Sequence, residues 1–220
     1  MRLLAPALAS GGGSLLGTTV QTEVIADGLP EAAVRDDIER GIAFTVPAEA
    51  GPCRASGDCP PGYACARQPW GDVCRAPVPA VVSRHLVELY NGAFASAYDL
   101  PRVNPDALVG LEIDVAFGAS TVRLGDPGRV VRQRVRLAGF SDRAIAVGIT
   151  LPLEEVRRLN RAVGPEDAGD EYHGAILELD GAHRLPEVIA QVERMGLEVR
   201  DRGTRRIALL LGALAALVVI

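Results

Sequence analysis

The sequence contains no lysine: all 23 of its basic side chains are arginine, and with the abundance of Ala, Gly and Pro this reflects genome composition rather than function. Several chemical motifs are also missing. No G-x-x-x-x-G-K-[ST] occurs, so the chain holds no nucleotide in a P-loop. Neither H-E-x-x-H nor G-x-S-x-G occurs, which removes the common zinc-protease and serine-hydrolase constellations. There are three histidines, His85, His173 and His183, scattered as surface or partly buried residues rather than ligands. The acidic run GPEDAGDE over 164–171 lacks calcium-loop spacing and reads as a solvated loop. A net charge of -5 without a concentrated basic face argues against a nucleic-acid partner. Arg132, Arg134 and Arg136 line one side of a short segment, a face that could meet an anionic lipid or partner but reads first as a solvated strand face. No enzyme, cofactor or metal is expected.

Cysteine is absent outside one segment, GPCRASGDCPPGYACARQPWGDVCR, which carries Cys53, Cys59, Cys65 and Cys74. Few aliphatic side chains lie there, so the segment cannot order itself by burial, and two disulfides supply the constraint. Intervals of five, five and eight residues, with no histidine nearby, fit a structural zinc site poorly. All three pairings of four cysteines remain open. Disulfides imply an oxidising compartment. Trp70 and Tyr63 are expected to pack over the bridges. Loss of a bridge is expected to loosen the insert at 51–77 but leave the main domain folded, since the insert adds little to its core.

The periodicities predict an α+β protein of two subdomains. Met1 to about residue 19 reads as a flexible leader, and 20–203 as the main domain. Strands are expected at Val20–Ala26, Ile42–Val46, Pro79–Val82, Leu111–Phe117, Val131–Leu137, Ile145–Leu151, Gly174–Leu179 and Leu197–Arg200. Helices are expected at Glu31–Arg40, at Arg84–Tyr98 with Leu86, Leu89, Tyr90, Ala93, Phe94 and Ala97 inward, from Pro152 to about Val163, and at Leu185–Met195 with Val188, Ile189 and Val192 inward. The strands Leu111–Phe117 and Val131–Leu137 alternate with outward charges of opposite sign, as in an antiparallel pair.

Residues 204–220 end in IALLLGALAALVVI, with no polar side chain. A core helix carries a polar face; this run has none, and it falls short of the roughly 20 residues that cross a bilayer. It is expected to be the start of a truncated spanning helix, with Ile207, Leu209, Leu210, Leu211, Leu214, Leu217, Val218, Val219 and Ile220 facing lipid.

The order of segments VVSRHLVELYN, a pair of alternating strands, VRLAGFSDRAIAVGITLPLEEVRRLN, and a β-α-β unit ending MGLEVRD before a basic pair and an apolar run resembles the periplasmic domain of MacB/LolCE-type (FtsX-like) ABC transporter permeases. The resemblance spans about Val20 to Ile220. It implies a bacterial inner-membrane component with its main domain in the periplasm. It also implies a separate cytoplasmic ATPase subunit, a second permease copy or paralogue, a periplasmic adaptor, and an amphipathic cargo such as a lipid or lipoprotein. The alternative within that superfamily is a signalling or anchoring ectodomain that regulates a cell-wall hydrolase. The cysteine insert departs from the family pattern.

Overall fold

The computed structural model describes residues 3–15, 18–97, 99, 101–118, 129–165, 167–170, 172, 174–177 and 179–199. The apolar run Ile207–Ile220 lies outside them, as does His173. Among the described residues no helix is long and apolar enough to cross a membrane. The chain is mixed α+β with two sheets and divides into two compact units, 1–176 and 177–220.

Six strands of the first unit close into a barrel in the order β1 (Leu3–Leu15), β2 (Thr18–Leu29), β9 (Ile149–Pro152), β6 (Val78–Val82), β8 (Val131–Phe140) and β7 (Glu112–Phe117). Strand β6 runs parallel to β8 and antiparallel to β9, and is buried along nearly its whole length. The expected β7–β8 pair is antiparallel, with Glu112 opposite Arg136 and Asp114 opposite Arg134. Arg134 lies 3.2 Å from Asp114 and 3.7 Å from Glu112, so the opposite charges meet across the ladder as the pattern requires.

One side of the barrel is covered by α4 (Leu153–Val163). Pro152 starts this helix because its fixed φ suits a helix entrance and it has no N–H to leave unpaired. Val156, Leu159, Ala162 and Val163 pack with Ala26, Val78, Val115, Phe117, Val135 and Leu151 in the main core. Gly28 lies within β2, opposite Leu151. A Cβ there would sit 3.0 Å from Val156 Cγ2 and 3.1 Å from the Leu153 Cα, so the missing side chain is what lets the helix approach the sheet. A second cluster, Leu29, Val34, Phe44, Val81 and Ala144, closes one end.

Several expectations are corrected. Leu3–Leu15, read as part of a flexible leader, is a strand paired with both β2 and β7. Its glycine-rich stretch has poor strand preference, but the two edges it joins would otherwise be left open. Ile42–Val46 is irregular: Phe44 is buried in the second cluster, and a closed barrel has no free edge for another strand. The expected helix Glu31–Arg40 is two short 3-10 turns, Glu31–Ala33 and Arg35–Asp37. Ile145–Gly148 is a turn before β9. No strand forms in the described parts of 174–179 and 197–200.

The helix after β6 runs as α1 (Arg84–Leu89), a wide π turn (Tyr90–Phe94) and α2 (Ala95–Ala97). Contrary to the expected inward set, Val87 and Ala95 are buried and Leu86 and Tyr90 half-buried, while Leu89, Ala93 and Ala97 are exposed. Asn91 exchanges two 2.8 Å hydrogen bonds with the backbone of Val103, and α3 (Pro105–Leu108) follows, capped by Asn104. In the second unit, α5 (Leu185–Arg194) keeps Val188, Ile189 and Val192 half-buried and ends at Gly196, whose φ of +77° makes the left-handed stop.

Candidate functional site

The cysteine insert is a small sheet of three strands, β3 (Glu49–Pro52), β5 (Val73–Arg75) and β4 (Ala64–Ala66), in that order. Cys53 is bonded to Cys65 and Cys59 to Cys74. The sulfurs of Cys53, Cys59 and Cys74 lie within 4.8 Å of one another, but each is spent in a disulfide and offers no thiolate to a metal. Tyr63 is half-buried, whereas Trp70 is 61% exposed and does not cover the bridges. It sits in the turn closed by Gly71 N–H donating to the Gln68 carbonyl. His85 is exposed beside Glu88 and His183 is exposed, as expected.

The insert is keyed into the barrel by a buried polar cluster that the sequence reading missed. Arg75, at the end of β5, is 2% exposed and Glu155, on the first turn of α4, is fully buried. Arg75 Nη1 and Nη2 each donate at 2.9 Å to the two oxygens of Glu155. Arg158 donates to the same two oxygens at 2.7 and 3.1 Å. Gln133 of β8 donates to Glu155 Oε1 and accepts from both arginines. Gln68, just past β4, accepts from Arg158 at 2.8 Å. Glu49 of β3 lies 3.2 Å from Arg75 Nε, although no directed hydrogen bond forms there. Residues in or beside every strand of the insert therefore reach this one cluster, and the barrel answers with β8 and α4.

Burial by itself pushes the Glu155 carboxyl up. The hydrogen bonds and charges of Arg75 and Arg158 outweigh it and hold the group at about 2, against an ordinary 4.5. With both oxygens occupied and the proton gone at neutral pH, Glu155 is neither a general acid nor a base. What the arrangement does is fasten. The folded-state value lies below the unfolded one, so the stabilisation is present above about pH 4.5 and is lost as pH falls towards about 2. That difference corresponds to about 3 kcal/mol. Urea midpoints are expected to drop steeply through this window, and to drop much less in Glu155→Gln. Equal acid slopes in the two proteins would show that Glu155 does not carry the effect.

The signal for this cluster was present in α4. Glu155 lies four residues before Leu159 and eight before Val163, on the apolar stripe itself, where a carboxylate persists only if paired. Its partner, 80 positions earlier in the chain, could not be read from spacing.

Compared with protein-family models, with curated proteins and with solved structures, the chain matches none.

Proposed function

We propose that this chain is the extracytoplasmic domain, with the start of a spanning helix over 204–220, of a MacB/LolCE-type ABC transporter permease. In this reading it is a non-enzymatic component. A separate cytoplasmic ATPase moves the helices, and the domain passes that motion, with a second permease copy and a periplasmic adaptor, to an amphipathic cargo leaving the inner membrane. The family part of the reading rests on the segment order, and the observation that carries its extracytoplasmic placement is the keyed insert. Its two disulfides suit an oxidising compartment, and its Arg75–Glu155 tie makes insert and barrel one mechanical body, since a loose joint would absorb displacement rather than transmit it. In the segment order, VVSRHLVELYN spans β6 and α1, and VRLAGFSDRAIAVGITLPLEEVRRLN spans β8, β9 and α4, which pack on one core.

The purified chain is expected to neither bind nor hydrolyse ATP, because it has no P-loop. In intact cells, a membrane-impermeant maleimide is expected to label Ser96→Cys, an exposed position on α2. Turnover that persists through purification, or labelling only after lysis, would sink the proposal.

A further inference from the structure

The bridge that joins the insert to β8 places two arginines side by side. Arg67 and Arg132 exchange both backbone hydrogen bonds at 2.8 Å, in an antiparallel pair. Opposed residues in such a pair have Cα atoms about 5.5 Å apart and side chains on one face. Both residues are exposed. Like charges directly opposite one another destabilise a ladder, and the usual remedy is a carboxylate on the next strand. For Arg134 that remedy is present in Glu112 and Asp114. For Arg132 it is not: the residue opposite it on β7 is Ala116. Among the described residues neither Arg67 nor Arg132 takes part in an ion pair or a side-chain hydrogen bond.

Three residues beyond Arg67 stands Trp70, the single tryptophan of the chain and 61% exposed. Its turn is held from below: Gln68 is buried and bound to Arg158, and Gly71 closes the turn. An indole kept in water on an ordered, disulfide-closed support, three positions along the chain from one of two paired arginines that no described residue compensates, is suited to the headgroup layer of a membrane. There an amphipathic ring lies at the interface and arginine forks grip phosphate.

We infer that Arg67, Arg132 and Trp70 form a contact site for the phosphate headgroups of anionic phospholipid. The inference rests on the permease reading above, which sets the domain beside a bilayer and gives it an amphipathic cargo. The two fail separately, because headgroup binding is measured without ATPase, adaptor or cell.

The full chain in zwitterionic detergent is titrated with phosphatidylglycerol or with phosphatidylcholine, and the Trp70 emission is followed. The apolar run 207–220 contains no tryptophan, so the signal reports the insert alone. A blue shift that saturates with phosphatidylglycerol, is absent with phosphatidylcholine and weakens with added salt is expected. At about 1 kcal/mol for each arginine near an anionic surface, Arg67→Gln with Arg132→Gln weakens apparent affinity roughly 30-fold. Arg134→Gln, whose charge is already compensated, leaves it unchanged. Urea midpoints equal to that of the parent chain show that the variants are folded. Equal shifts with both lipids, an equal loss in Arg134→Gln, or a shift produced by free inorganic phosphate or an acidic peptide but not by phosphatidylglycerol would overturn the assignment.

Discussion

Glu155→Gln is expected to destabilise the barrel by about 3–5 kcal/mol, the range for removing one partner of a buried ion pair. The substitution keeps the shape of the side chain and removes its charge. Arg75, 2% exposed, then keeps only Gln133 and the half-exposed Glu49 near its guanidinium, while Arg158 stays close by with the same sign of charge. Domains of this kind have total stabilities of about 5–15 kcal/mol, so the variant should be marginal at room temperature. Removing one arginine is milder. Arg75→Met leaves Glu155 with Arg158, and Arg158→Met removes a side chain that is 22% exposed and partly hydrated. The order Glu155→Gln, then Arg75→Met, then Arg158→Met is checked by urea unfolding at neutral pH. A cost below about 1 kcal/mol for Glu155→Gln would put the cluster in the range of surface pairs.

Opening the bridge between Cys59 and Cys74 is expected to cost about 3 kcal/mol in chain entropy for a loop of this length, and the loss should spread into the barrel. An insert poor in aliphatic residues reads as an appendage whose loss spares the main domain. The structure points to a different outcome, because Cys74 is 2% exposed and directly precedes Arg75. Strand β5 is thus held at one residue by a disulfide and at the next by Glu155. Cys59→Ala with Cys74→Ala should lower the urea midpoint of the whole first unit in one transition. Opening Cys53–Cys65 in the same way should have a smaller effect on the barrel, since both of those cysteines are half-exposed and neither adjoins Arg75. Separate transitions for insert and barrel would show that the two are not one cooperative body.

Elements with strong local patterns were legible. The alternation from Leu111 to Phe117 and from Val131 to Leu137 identified an antiparallel pair and the sign of its outer charges. Pro152 and the apolar spacing to Val163 marked α4, and the cysteine cluster announced its own cross-links. What was not legible depended on closure. The glycine-rich start of the chain becomes β1 because β2 and β7 offer edges for it to pair with, and Ile42–Val46 fails to become a strand because the closed ring has no edge left. A local window contains neither fact. Trp70 was misjudged because packing over disulfides is the common use of an aromatic in such an insert, while here buried Gln68 takes the inward position and the indole stays in water. The Arg75–Glu155 tie joins positions 80 apart, and only its oddity, a carboxylate on an apolar stripe, was visible beforehand.

The central claim is that disulfide and ion pair hold β5 together, making insert and barrel one body. A double-mutant cycle between Cys59→Ala/Cys74→Ala and Glu155→Gln, read by urea unfolding, tests it most directly. Once the bridge is open and Arg75 is no longer held in place, losing Glu155 should cost less than it does in the intact chain. The account predicts a coupling of about 1–3 kcal/mol, the size seen for residues in one network. Costs that add to within about 0.5 kcal/mol, as for independent sites, would contradict it.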